Sequence, residues 1–156
     1  MRNKIVIWLH ALRPSQWTKN AVVLVAWFFA VGDPSQAAVA RGLVPALLAL
    51  GMVASFCLVS SSFYLLNDVS DYEADRVHPV KKFRPVAADL ISKIDAVRGA
   101  LVLFALGLAF PSAIIALYPS RTLAFGTILA YTVLQCLYSG FLKRIPYVDV
   151  LVIALG

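Results

Sequence analysis

Long apolar runs broken by short polar clusters organise this chain. Four of the runs approach or meet the roughly 20 residues that a helix needs to cross a bilayer core of about 30 Å. They cover 20–31, 43–66, 99–117 and 123–141, and with their flanks they predict membrane helices over about 17–31, 43–69, 99–117 and 123–141. A fifth run, 148–156, supplies about two further turns. Ahead of the first span, Ile5, Trp8, Leu9 and Leu12 fall at helical spacing on one face of residues 4–12, as in a helix lying in the membrane interface, and Pro14 turns the chain inward. No internal repeat or low-complexity stretch interrupts the pattern, and the only sizeable aqueous segment is the loop over about 71–98. The expected fold is all-α: a polytopic transmembrane helical bundle of four complete membrane helices plus the start of a fifth, in a single domain over 1–156.

Composition reinforces that picture. Hydrophobic residues make up 61% of the 156 positions and the mean hydropathy is +0.82, both outside the range of soluble globular domains. The N-terminal apolar stretch is too short and has no small-residue cleavage site, so it does not read as a signal peptide. Cys57 and Cys136 sit alone in apolar runs without metal-ligand spacing and read as small core residues. The net charge of +6 has a topological explanation rather than a nucleic-acid one. Twelve of the fourteen Lys and Arg fall on one set of alternating segments (2–19, 76–98 and 143–144) and two, Arg41 and Arg121, on the other. The positive-inside rule therefore puts the N-terminus and the 71–98 loop in the cytoplasm of a multi-pass protein of the cell membrane.

Candidate chemistry gathers at Asn67 to Asp75, NDVSDYEAD, where the second apolar run ends. Extending that helix by two turns puts Asp68, Asp71 and Asp75 on one face, with Asn67 on its flank and Glu73 turned away. Converging carboxylates repel and call for a compensating cation. Hard oxygen ligands without His or Cys favour Mg²⁺, which takes one or two carboxylates plus substrate phosphates. An EF-hand is disfavoured, since its sixth-position glycine and closing glutamate are missing. Solvated charges at a helix end are the bland alternative, but Asn67 and Asp68 follow the apolar run directly, where a carboxylate facing lipid is costly. Downstream, Lys81, Lys82 and Arg84 lie in a proline-bounded turn as cations able to hold phosphate oxygens, with His78 as a positioning or surface residue.

The pattern N-D-x-x-D-x-x-x-D at a helix end, followed by a basic segment ending in Arg84-Pro85, resembles the first aspartate motif of the UbiA superfamily of intramembrane prenyltransferases. LRPSQWTKN at 12–20, DRVHPVKKFRPVAA at 75–88 and YSGFLKRIPYVDV at 138–150 are similar to its decaprenyl-phosphate phosphoribosyltransferase branch. The resemblance implies that Asp68, Asp71 and Asp75 bind a Mg²⁺-diphosphate, with Asn67 assisting, Lys81 and Arg84 on phosphate, and Lys19 and Arg13 as further substrate contacts. It implies transfer of 5-phosphoribosyl from its 1-diphosphate to a polyprenyl phosphate of the membrane, with no protein nucleophile. A UbiA-type prenyl transfer from a polyprenyl diphosphate to an aromatic or other small acceptor uses the same motif. A transporter or assembly subunit is the non-enzymatic alternative. CDP-alcohol phosphotransferases are excluded, because their Asp-Gly and Ala-Arg pattern is missing. The branch usually has glycine where this chain has Asp89. The superfamily fold has about nine membrane helices and a second aspartate motif. The chain is therefore expected to hold an incomplete UbiA-like domain, to need a C-terminal half, and to lack activity alone.

Overall fold

The computed structural model describes residues 3–118 and 122–140, and within them every regular element is a helix. The expected fifth helix and most of the 138–150 motif lie outside the described residues. Helix α1, Lys4–Leu12, opens on Asn3, whose Oδ1 accepts from the Ile5 N–H at 3.0 Å, and closes at Arg13 with a left-handed φ of 53°. Pro14 then starts a 3-10 stretch, Pro14–Ala21, that leads into α2, Val22–Gly32. After the single turn of α3, Ala37–Ala40, the chain enters α4, Leu43–Ser70, and breaks at Asp71 into α5, Tyr72–Val77. A 3-10 turn, Lys81–Phe83, precedes α6, Lys93–Leu117, and α7, Thr122–Gly140.

Helices α4 and α6 are long and apolar enough to cross a membrane, and Phe125–Tyr138 within α7 is a shorter apolar stretch. The helix bounds expected at 43–69 and 123–141 fall within a residue of those of α4 and α7 at each end. The third begins six residues earlier than its apolar run. Ser92 Oγ accepts from the Asp95 N–H at 3.0 Å, and Asp95 Oδ2 accepts from the Ser92 hydroxyl at 2.8 Å. This reciprocal cap starts α6 ahead of the apolar run, so Lys93–Arg98 is helix rather than loop. The first span is not one helix: its leading residues wind as 3-10, and α2 adds eleven residues, about 16 Å at 1.5 Å each.

Helix α4 is the axis, with α6 packed along it and α1, the 3-10 stretch, α2 and α7 around it. Close approach of α4 and α6 depends on Gly107, where an added Cβ would stand 2.8 Å from Val59 Cγ2 and 3.1 Å from the Ser55 carbonyl. Small residues at such a crossing let two membrane helices meet backbone to backbone, where van der Waals packing rather than water drives association. Two apolar clusters follow. Val59, Phe63 and Ile128 lie at the junction of α4, α6 and α7, with Phe104 edge-on to Phe63 at 6.3 Å. Ala11, Leu65, Tyr72, Val86, Ile91, Ala96 and Ala100 form the second, beneath the 71–92 segment.

The second cluster changes the reading of α1. Trp8 and Leu12 pack inward against it, Trp8 directly over Gly99, while Ile5 and Leu9 stay exposed beside Val6. The apolar face expected to lie in the interface is thus divided between core and surface. Cys57 is buried as expected, but Cys136 is exposed on α7.

Candidate functional site

Three consecutive serines fix the entry to the site. Ser60, Ser61 and Ser62 interrupt the apolar run of α4, and all three are buried. Ser61 Oγ donates to the Leu12 carbonyl at 3.0 Å and accepts from Trp17 Nε1 at 3.0 Å. Asn20 Nδ2 donates to Ser60 Oγ at 3.2 Å and to Cys57 Sγ at 3.4 Å. A 3-10 stretch offers poor internal hydrogen-bond geometry, so these side chains are what hold residues 14–21 against α4. Their effect is to aim Arg13 at the end of α4.

Two turns beyond the serines, Asp68 is 1% exposed and Asp75, within α5, 2%. The break at Asp71 leaves the helical path nearly continuous, because Asp71 N donates to the Asn67 carbonyl and Asp75 N to the Asp71 carbonyl, each at 2.8 Å. Asp68 and Asp75 therefore keep the shared face that their seven-residue spacing predicts. What joins them is arginine. The Arg84 guanidinium donates to Asp75 Oδ2 at 2.6 Å and to Asp68 Oδ1 at 3.4 Å, and Arg13 forms an ion pair with the same Asp68 Oδ1. Arg13 also stacks over the Tyr64 ring with 4.9 Å to its centroid, a cation–π contact that fixes the guanidinium plane.

Buried carboxylates are tolerated when paired and hydrogen-bonded, and the planar fork of arginine suits that task. The pairing is incomplete. Asp68 Oδ2 is buried and has no hydrogen-bond partner among the described residues, a state that costs desolvation free energy without return. Among the described residues no group of three His, Cys, Asp or Glu is gathered closely enough to hold a metal ion by protein ligands alone. Arginine joins Asp68 to Asp75, and Asp71 lies between them at the helix break. Such a donor set still fits a hard divalent cation that takes one or two carboxylates and completes its shell with substrate phosphate and water. The open oxygen on Asp68 is where it would engage.

A cavity of about 310 Å³ lies beside this cluster, between the 3-10 stretch, α4 and α7. Arg13, Lys19, Asn20, Asn67, Tyr64, Tyr131 and Gln135 are in its wall, and Gln135 Nε2 donates to the Tyr131 hydroxyl at 2.8 Å. Of the residues singled out in the sequence, the structure thus brings Arg13, Lys19 and Asn67 to one polar cavity and Asp68, Asp75 and Arg84 to one ion-pair cluster. Asp71 is half-buried at the helix break. Lys81 lies on an exposed 3-10 turn, where its backbone N–H donates to His78 Nδ1 at 3.2 Å. Glu73 is exposed and faces Lys93 at 3.5 Å, outside the cluster as expected. Tyr64, Tyr131, Gln135 and the serines were missed. Polar residues inside apolar runs were the available signal, since each needs a partner in lipid.

The model of the UbiA prenyltransferase family matches residues 16–156. A decaprenyl-phosphate phosphoribosyltransferase of Mycolicibacterium smegmatis is 36% identical over 148 residues, which cover 95% of this chain and 44% of that protein. Proteins of the same description from Corynebacterium glutamicum and Mycobacterium tuberculosis are 34% and 37% identical, over 95% and 92% of this chain and 42% and 45% of theirs. The chain spans less than half the length of these relatives. With the match running through the 3-10 stretch, the aspartate cluster and the arginine turn alike, the chain belongs to the UbiA prenyltransferase family.

Proposed function

We propose that this chain carries the donor-binding part of a Mg²⁺-dependent transferase that moves 5-phosphoribosyl from 5-phosphoribosyl 1-diphosphate to a polyprenyl phosphate. The observation that carries the reading is the Asp68–Arg84–Asp75 cluster with one buried carboxylate oxygen left open. Carboxylates alone would serve cation coupling. Carboxylates interleaved with two arginines serve a metal-bound polyphosphate, because the guanidinium fork matches phosphate oxygens. The choice of a phosphoribosyl donor rests on the names of the relatives. The bias of Lys and Arg between alternate segments supports a cytoplasmic N-terminus and 71–98 segment in the plasma membrane.

In this reading Asp68 and Asp75 would hold the cation, with Asp71 at the helix break beside them. The ion, when bound, neutralises charge on the diphosphate and on its departing oxygen. Arg84 and Arg13, held beside the carboxylates, present their remaining N–H groups to the diphosphate oxygens, joined by Lys81 three residues before Arg84. Asn67 and Lys19 orient the ribose phosphate in the polar cavity. An oxygen of the lipid phosphate attacks the anomeric carbon, and the bond from that carbon to the diphosphate oxygen breaks with its electron pair on the leaving group. The attacking oxygen is already ionised, so no proton has to be removed and no protein nucleophile is used. Fixed positive charge facing the leaving group is the catalytic contribution of the chain, since charge grows there only as the bond breaks.

Competition binding tests the donor. With the detergent-solubilised chain and labelled 5-phosphoribosyl 1-diphosphate in magnesium buffer, ribose 5-phosphate and inorganic diphosphate together are expected to compete fully. A polyprenyl diphosphate is expected to compete weakly. Stronger competition by the polyprenyl diphosphate would assign the site to prenyl transfer instead.

A further inference from the structure

Arg84 reaches Asp68 and Asp75 from a turn that is itself held from its opposite side. Ala88 N donates to the Arg84 carbonyl at 2.8 Å, and Leu90 N and Ile91 N both donate to the Pro85 carbonyl, at 2.9 and 3.1 Å. Residues 84–91 therefore close on themselves, with Val86, Ala87 and Ile91 buried. At the tip, Asp89 adopts a left-handed φ of 55°, a conformation that disfavours any residue with a Cβ. Aspartate tolerates it best when the short side chain hydrogen-bonds within its own turn. Here the carboxylate reaches out of the turn instead.

The Tyr72 hydroxyl donates to Asp89 Oδ1 at 2.7 Å, and Arg76 donates to the same hydroxyl at 2.7 Å while lying 3.7 Å from Asp89 Oδ2. Lys93 Nζ sits 3.6 Å above the Tyr72 ring centroid. This second network shares no residue with the Asp68–Arg84–Asp75 cluster, yet it joins the same two pieces: the turn that carries Arg84 and the helix, α5, that carries Asp75.

We propose that Asp89 is a positioning residue for the diphosphate site. Through Tyr72 it fixes the turn against α5 and so sets the placement of Arg84 relative to Asp75. The proposal rests on the phosphate-site reading above. It assigns Asp89 to donor affinity and gives it no contact with donor, cation or acceptor. A carboxylate near a phosphate site would oppose the donor if it faced it. Asp89 instead spends its charge on Tyr72 and Arg76.

Glycine separates backbone from side chain at this position, because Asp89→Gly keeps the left-handed turn and removes only the carboxylate. The full chain in detergent is read in two ways: hydrogen exchange of the backbone amides over 84–91, and calorimetric affinity for magnesium diphosphate. Asp89→Gly and Tyr72→Phe are each expected to speed exchange at residues 88, 90 and 91. Each should weaken binding by about fivefold to tenfold, the net worth of one ordinary hydrogen bond. Asp89→Asn, which keeps an acceptor oxygen, should recover part of the loss. The double variant should be no weaker than either single one, as expected of two groups that act through one contact. Losses that add, or an Asp89→Gly chain that binds diphosphate as tightly as the starting chain, would overturn the proposal alone. A starting chain that binds no magnesium diphosphate would overturn the phosphate-site reading and this proposal with it.

Discussion

Replacing Asp68 with alanine is expected to abolish donor binding and to loosen the fold at the end of α4. Arg13 and Arg84 converge on one oxygen of this residue from sites 55 and 16 positions away in sequence. Without it both guanidiniums stay partly buried, at 26% and 25% side-chain exposure, with Arg84 keeping only Asp75 as partner. Breaking a fully buried pair costs about 3–5 kcal/mol, and the residual hydration of these arginines lowers that to roughly 2–3 kcal/mol. Binding should suffer more, because the same change removes the open carboxylate oxygen. A loss of about a hundredfold or greater in affinity for magnesium diphosphate is expected, near 3 kcal/mol. Glu73→Ala is the control: it removes an acidic residue from the same segment, but one that is exposed and outside the cluster. It should leave both the unfolding midpoint in detergent and the affinity within error of the starting chain. Equal effects of the two changes would mean that only the overall charge of the segment matters.

Arg84→Ala should produce the largest loss of stability of any single change in the site. Arg84 is the group that bridges Asp68 and Asp75, and its removal leaves Asp75 without that partner and Asp68 with Arg13 alone. Two buried carboxylates on one face then repel through a medium poorer in water than the loop outside. The expected cost is about 3–5 kcal/mol, the range for stranding a buried charge. Arg84→Lys restores the charge, but both contacts, at 2.6 and 3.4 Å, are made by one terminal nitrogen at the reach of the arginine side chain, and a lysine ammonium is the more strongly hydrated ion and loses more on burial. It should recover less than half of the lost stability. Thermal unfolding in detergent measures both variants, and full recovery by lysine would show that charge alone, without a guanidinium, holds the cluster.

Apolar run length was enough to place α4 and α7, because a membrane helix is bounded by the same composition change that the sequence displays. It failed at α6, where the boundary of the helix and the boundary of the lipid differ. Ser92 and Asp95 form a cap in the sequence, and that signal could have found the true start. It failed again at the first span, where Pro14 and a left-handed Arg13 lead into 3-10 geometry fixed by contacts with Ser60 and Ser61. Helical register made the shared face of Asp68 and Asp75 legible. The arginines on that face were not, since Arg13 arrives through the fold of residues 14–21 and Arg84 through a turn whose shape depends on Asp89 and Tyr72. Local pattern gave the carboxylates; long-range packing supplied their partners.

Magnesium dependence tests the central claim most directly. Binding of 5-phosphoribosyl 1-diphosphate to the detergent-solubilised chain is measured by calorimetry in magnesium, then in excess chelator, for the starting chain and for Asp68→Asn. Saturable binding is expected in magnesium alone, with both chelation and the Asp68→Asn substitution removing it. Binding that survives chelation, or that persists undiminished in Asp68→Asn, would contradict a metal-diphosphate site built on Asp68, Asp75 and Arg84.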